Sequence, residues 1–174
     1  MEKALIVDIP YPTIENLSED YISARIIMPA YASAHSELGA IMQYVYHHFY
    51  FEKYGDEETA KILTSISVAE MKHLNLLGET LIKLGVDPVF TKNPPYKTDF
   101  FSTSSVSYSK TAKKMLLDDI AGEMLAINEY NAMLEKLDNE CVATVIKRIL
   151  LDEELHLLAL KKRMKELMQQ GERC

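Results

Sequence analysis

Apolar positions recur three and four residues apart over four long stretches of this 174-residue chain. That spacing marks one buried face of an α-helix. The first stretch runs from about Pro29 to Lys53 and stops at Tyr54-Gly55. Asp56-Glu57-Glu58 opens the second, which reaches Leu84, with Gly85 as its stop and Pro88 beyond. The third covers about Ser109 to Leu137 and the fourth Glu140 to Gln170, with Asp138-Asn139 as the turn between them. Ahead of these, residues 1–17 look irregular around Pro10 and Pro12, and Ser18 followed by Glu19 and Asp20 resembles the N-cap and acidic first turn of a short helix ending near Met28. Pro29 either starts the next helix or kinks one continuous helix. Residues 86–108 hold three prolines and many Ser and Thr, without helical period, and read as a connection. The chain thus divides into an N-terminal extension with a short helix, 1–28, and a helical bundle, 29–170.

Loop lengths fix the topology. Short turns at 54–55 and 138–139 make two antiparallel hairpins. The 86–108 connection can run back along a bundle of ~30 Å, since extended chain spans up to ~3.3 Å per residue. The expected fold is all-α: an antiparallel four-helix bundle with one long crossover between its second and third helices. Composition agrees. Apolar residues make up 48% of the chain, enough for a core, and glycine and proline number only six each. The net charge of −7 and the lack of a basic stripe argue against nucleic acid and anionic membrane as partners. No stretch is apolar for 18 residues, and Met1–Pro12 has no secretory pattern, so a cytoplasmic location is expected. Cys141 and Cys174 lie far apart and cannot by themselves build a disulfide framework or a thiolate metal site.

The two hairpins repeat each other. Glu37-x-x-Ala40-Ile41-x-x-Tyr44 in the first helix matches Glu123-x-x-Ala126-Ile127-x-x-Tyr130 in the third. Glu70-x-x-His73 in the second matches Glu153-x-x-His156 in the fourth. Residues level with each other in an antiparallel hairpin lie equally far from the turn. The midpoint of 37 and 70 is 53.5 and that of 123 and 153 is 138, both at the turns. The glutamates should therefore stand at one height, and each Glu-x-x-His should present both groups on one face. Glu37, Ile41, Tyr44 and His48 share an otherwise apolar stripe that should face the core, as do Glu123, Ile127, Tyr130 and Leu134.

Four carboxylates and two imidazoles in one apolar layer, with no basic residue on those stripes, require compensation. Two divalent cations would neutralise four carboxylates, and mixed oxygen and nitrogen donors suit two iron or two manganese ions. Two readings stand for Tyr44 and Tyr130: core aromatics with satisfied hydroxyls, or hydrogen-bond donors to ligand carboxylates. Asp152, beside Glu153, either orients a metal-bound histidine or is solvated. Its counterpart before Glu70 is Ala69. Asp119 is a weaker candidate of the same kind. His48 reads as an end-layer histidine, His35 and His47 as surface or interface residues, Glu129 and Glu154 as solvated. Met42, Met71, Met115 and Met124 read as core fillers.

Over about Tyr31–Met164 the sequence resembles the ferritin-like di-metal family of rubrerythrins, bacterioferritins and manganese catalases. Ile120-Ala121-Gly122-Glu123 is similar to the third-helix ligand segment of rubrerythrins. Ser36-Glu37-Leu38-x-Ala40-Ile41-x-x-Tyr44 and Glu70-Met71-Lys72-His73-Leu74 are closer to manganese-catalase-like proteins. The resemblance implies that Glu70 and Glu153 bridge both metals, that Glu37 and Glu123 are terminal ligands, and that His73 and His156 each bind one ion. Ala126 stands where rubrerythrins carry a further glutamate. No rubredoxin module is visible, so any electron donor is expected to be external. The chain is also shorter than typical manganese catalases.

Three functions compete. The first is a di-metal oxidoreductase acting on hydrogen peroxide or dioxygen, catalase- or rubrerythrin-like, forming a homodimer or higher homo-oligomer. The second is a ferroxidase or iron-storage protein. The third is a non-enzymatic module stabilised by metal.

Overall fold

The computed structural model describes residues 2–92, 96 and 99–171. Pro94, Pro95 and Cys174 lie outside them. A short helix α1 (Tyr21–Ala32) precedes four long ones: α2 (Glu37–Lys53), α3 (Glu57–Lys83), α4 (Ala112–Leu134) and α5 (Glu140–Gly171). The caps explain most boundaries. Asp20, Asp56 and Thr111 accept hydrogen bonds from the backbone N–H groups of Ser23, Thr59 and Lys114. Asn139 does the same for Cys141 and Val142 at the start of α5. Gly55 and Gly85 follow α2 and α3 with φ of 77° and 85°, a conformation that favours glycine.

Asp20 rather than Ser18 caps α1, α4 is about three residues shorter at each end than expected, and the boundary at Pro29 differs most. Pro29 neither starts the long helix nor kinks a continuous one into the bundle; it sits inside α1. The break falls at residues 33–36, where serines compete for the backbone. Ser33 Oγ donates to the His35 carbonyl (3.1 Å), and Ser36 Oγ donates to the Ser33 carbonyl (2.9 Å). Ser36 then caps α2, so Glu37 is the first residue of the bundle helix.

The α2/α3 and α4/α5 hairpins pack side by side, joined by the crossover 84–111. Part of that connection is ordered by an antiparallel bridge between Thr91 and Phe100 and a single 3-10 turn at Thr103–Ser105. It docks on the bundle where Ser107 N–H donates to Gln43 Oε1 (2.9 Å) and Ser107 and Ser109 hydroxyls donate to Asp118 (2.6 and 2.7 Å).

Two apolar cores fill the ends of the bundle. One gathers α1 with the open end of the α2/α3 hairpin and the turn end of the α4/α5 hairpin: Ala24, Ile27, Leu77, Leu81, Val142, Ile146 and Ile149. The other lies toward the α2–α3 turn: Tyr44, Phe51, Leu63, Ile66, Met115, Leu116 and Leu160. Met115 is the core methionine of its group; Met42, Met71 and Met124 are exposed, so those three are not core fillers. Each fully buried Leu, Ile or Phe contributes roughly 1.5–3 kcal/mol. Together the two cores can hold a polar layer between them.

An ionic clamp closes the turn end. Buried Arg163 of α5 donates to Asp56 (2.8 Å) and to Thr59 Oγ1 (2.6 Å) at the start of α3. Removing one partner of a buried pair costs about 3 kcal/mol. Arg163→Met should lower unfolding free energy in urea by about that much, while leaving metal content unchanged.

Candidate metal centre

Between the two apolar cores lie Glu37, Glu70, His73, Glu123, Glu153 and His156, all buried. The four glutamates expected at one height and the two histidines a turn from them are thus brought together. Their atoms form two groups of four: Glu37, Glu70, His73 and Glu153, and Glu70, Glu123, Glu153 and His156. Within each group the candidate ligand atoms lie within 4.8 Å of one another. Glu70 and Glu153 belong to both. Glu70 Oε2 is 2.8 Å from His73 Nδ1 and Oε1 is 3.0 Å from His156 Nδ1. Glu153 likewise turns Oε1 to His73 Nδ1 (3.0 Å) and Oε2 to His156 Nδ1 (3.8 Å).

The tyrosines tie the layer crosswise. Tyr44 of α2 donates to Glu123 of α4, and Tyr130 of α4 donates to Glu37 of α2. Both are buried. The hydrogen-bonding reading of these residues therefore describes the structure. Phenylalanine in their place would leave the carboxylates free to rotate. Tyr44→Phe and Tyr130→Phe should each weaken metal binding about tenfold, as loss of a hydrogen bond to a metal ligand commonly does; isothermal titration with Mn2+ reads the effect.

Both imidazoles turn Nδ1 toward the cluster and are held at Nε2. His73 Nε2 meets Asp152 Oδ2 at 3.0 Å, and His156 Nε2 meets the Leu5 carbonyl at 2.8 Å. Asp152 is fully buried, not solvated. It also accepts from Val7 N–H (2.8 Å) and Tyr11 OH (2.7 Å), and pairs with Arg148 (2.8 Å). Leu5, Tyr11 and Arg148 were not among the sequence candidates. Arg148, a basic residue one turn before Asp152, carried a signal; a backbone carbonyl carries none.

His47 departs from its expected surface place. It is fully buried, with Nδ1 2.8 Å from Asp119, because α4 supplies a carboxylate on a side of α2 that the apolar stripe does not mark. Gln43 also donates to Asp119 (2.9 Å). Asp119 therefore supports His47 and contacts none of the six clustered groups by hydrogen bond. His48 is half-buried against the Ala60 carbonyl and Thr64. His35 and Glu154 are exposed, and Glu129 is half-buried at the rim of a cavity, not fully solvated.

The electrostatics show a layer short of positive charge. Burial, then the neighbouring carboxylates Glu70 and Glu153, push Glu37 well above the usual carboxylate range. Burial and Glu153 do the same to Glu123. Burial alone would lower His73 and His156, yet surrounding carboxylates raise both well above the ordinary histidine value. Burial would raise Glu70 and Glu153, but the two histidines hold both low. Despite these close approaches, Glu70 Oε1, Glu123 Oε2, Glu153 Oε1 and His156 Nδ1 make no contact in hydrogen-bond geometry among the described residues. Orphaned acceptors converging on one point are what cations satisfy, and the oxygen-rich donor set with one imidazole per group suits a dinuclear site.

A cavity of about 90 Å³ reaches the layer between α2 and α4. Glu37, Glu70, Glu123 and Glu153 lie at its floor, and Gly39, Ala40, Gly122 and Ala126 are among its walls. The histidines face the opposite side, under the N-terminal segment. No helix among the described residues is long and apolar enough to cross a membrane.

A four-helix bundle with one long crossover and a buried Glu/His layer between its hairpins is a ferritin-like architecture. A family model described as Ferritin-like domain matches residues 32–169, and the chain belongs to that family. Among solved structures, a manganese catalase from Anabaena aligns with a TM-score of 0.80 at 18% identity, covering 92% of this chain and 78% of its own. A dodecameric thioferritin from Bacteroides fragilis aligns at 0.72 and 18% identity, covering 90% and 92%. A bacterioferritin from Rhodobacter capsulatus aligns at 0.75 and 21% identity, again covering 90% and 92%. At these identities the likeness is one of fold. Comparison with curated protein sequences finds no match.

Proposed function

We propose that this chain holds two iron or two manganese ions and acts as an oxidoreductase on hydrogen peroxide or dioxygen. The observation that carries the reading is the sharing of Glu70 and Glu153 by two complete four-residue groups. Such sharing suits two adjacent cations better than one. Glu37 and His73 would complete one position, Glu123 and His156 the other. Bound there, two ions that each change oxidation state by one would supply the two electrons that O–O cleavage requires.

The chain's own groups supply the rest. Tyr44 and Tyr130 fix the terminal carboxylates, and Asp152 and Leu5 fix the imidazoles. The cavity between α2 and α4 gives a small oxidant access to the four carboxylates. Gly39, Ala40, Gly122 and Ala126 are among the small residues of its lining, and Glu129 adds a carboxylate at its rim.

The test is a peroxide-consumption assay on protein loaded separately with manganese and iron. Peroxide loss with half-molar oxygen release, without added reductant, marks disproportionation. Loss that needs a reductant and releases no oxygen marks a peroxidase with an external donor. No consumption of peroxide, and none of dioxygen in a parallel assay, with or without reductant, contradicts the reading.

Iron oxidation and storage is the second reading. Near-full-length likeness to the thioferritin and the bacterioferritin favours it. Self-association suits either reading, since Met42, Val45 and Phe49 form an exposed apolar stripe on α2. A particle far larger than a hexamer in light scattering favours storage.

A further inference from the structure

The repeat that relates the two halves breaks beside the bridging glutamates. Glu70 and His73 correspond to Glu153 and His156, and Glu37 and Tyr44 to Glu123 and Tyr130. The crosswise tyrosine bonds preserve that correspondence in space. The position before the bridging glutamate does not: it is Asp152 on α5 but Ala69 on α3. Asp152 reaches across to His73 of the other hairpin. By the same symmetry Ala69 would serve His156, and alanine has no acceptor to offer.

The N-terminal segment fills that gap. The Leu5 carbonyl lies 2.8 Å from His156 Nε2. The segment is anchored on both hairpins. Leu5 N–H donates to the Ser65 carbonyl of α3 (3.0 Å), and Val7 N–H and Tyr11 OH donate to Asp152 of α5. Arg148 binds the carbonyls of Ile9 (2.8 Å) and Val7 (3.2 Å) and lies over the Tyr11 ring at 4.3 Å. The Tyr11 ring in turn packs edge-on against His73, centroids 6.2 Å apart.

We propose that residues Leu5–Tyr11 form a strap that completes the metal centre and makes its two ion positions unequal. A carbonyl only accepts, so with an ion bound His156 would carry its single proton on Nε2 and turn its Nδ1 lone pair inward. An ionised Asp152 imposes the same tautomer on His73. A carboxylate polarises the imidazole it holds more than a neutral peptide carbonyl does, and so makes His73 the more basic ligand. The ion beside His73 and Glu37 binds first and more tightly; the ion beside His156 and Glu123 binds second. Tyr11 acts through Asp152 as a positioning residue. The inference rests on the di-metal reading.

Titration of the full-length metal-free protein with Mn2+ alone tests it, read by calorimetry and by the electron paramagnetic resonance signal of free Mn2+. The wild type should bind two ions in two steps that differ at least tenfold. Asp152→Asn should weaken the tighter step tenfold or more, in line with loss of a carboxylate partner of a ligating histidine, and shift the other less than threefold. Tyr11→Phe, which keeps the ring packing, should weaken the same step by a smaller factor and guards against misfolding of Asp152→Asn. Leu5→Pro, which loses the N–H to Ser65, should weaken the other step. Two indistinguishable ions in the wild type, or equal weakening of both steps by Asp152→Asn and Tyr11→Phe, overturn the strap proposal and leave the di-metal reading standing. A wild type that binds neither Mn2+ nor, without oxygen, Fe2+ overturns both.

Discussion

Glu153→Gln should cost the protein both metal ions, whereas Glu123→Gln should cost it chiefly one. Glu153 turns one oxygen toward each histidine and belongs to both ligand groups, while Glu123 belongs to one. Loss of a shared carboxylate leaves each position with one fewer anionic donor and the adjacent cations with less charge between them. Loss of a partner one bond removed from a metal costs 10–100-fold in affinity; loss of a ligand shared by two ions should exceed that at both positions. Elemental analysis after dialysis should give about two ions per wild-type chain. It should give well under one for Glu153→Gln and Glu70→Gln, and about one for Glu37→Gln and Glu123→Gln. Peroxide consumption should fall to background in the first pair. Equal losses in all four variants would contradict the shared role.

Metal removal should lower the melting temperature on the order of 15–30 °C near neutral pH. Each site at a thousandfold excess of ion over Kd contributes about 4 kcal/mol, and a domain of this size shifts about 2–4 °C per kcal/mol. The effect should grow with pH, for reasons that lie in the metal-free state. Glu37 and Glu123 are held above their ordinary value of 4.5, so the stability they lend is complete below that value and is lost as pH rises through their folded values. His73 and His156 are raised above 6.5, and their contribution too is lost on the alkaline side. Glu70 and Glu153 are lowered, and theirs is present above 4.5 and lost in acid. The metal-free protein is therefore firmest in mild acid and weakens above neutrality. Metal binding has the opposite slope, because the same protons compete with the ions. Calorimetric scans of both forms from pH 6 to 8 should show the gap widening. A constant gap would contradict the account.

Much of the fold was legible because it is periodic. The caps at Asp56 and Asn139 and the glycines at 55 and 85 mark helix ends in the sequence, and the symmetric spacing about two turns places four glutamates at one height. The clustering of the six side chains follows from that geometry. What escaped was set by contacts without period. Pro29 stayed inside α1 because Ser33 and Ser36 broke the helix later. His47 is buried off the apolar stripe because Asp119 meets it from another helix. Asp152 had two readings from sequence, and the one that became the structure depends on Arg148 and Tyr11 closing around it. Leu5 acts through its carbonyl, which every residue has, so no pattern of side chains could point to it.

The central claim is that Glu70 and Glu153 hold two metal ions side by side. Anomalous X-ray diffraction from crystals of manganese- or iron-loaded protein, at the metal absorption edge, tests it most directly. Two peaks per chain are predicted between these glutamates, one beside Glu37 and His73 and one beside Glu123 and His156. A single peak, none, or peaks away from this layer would contradict it.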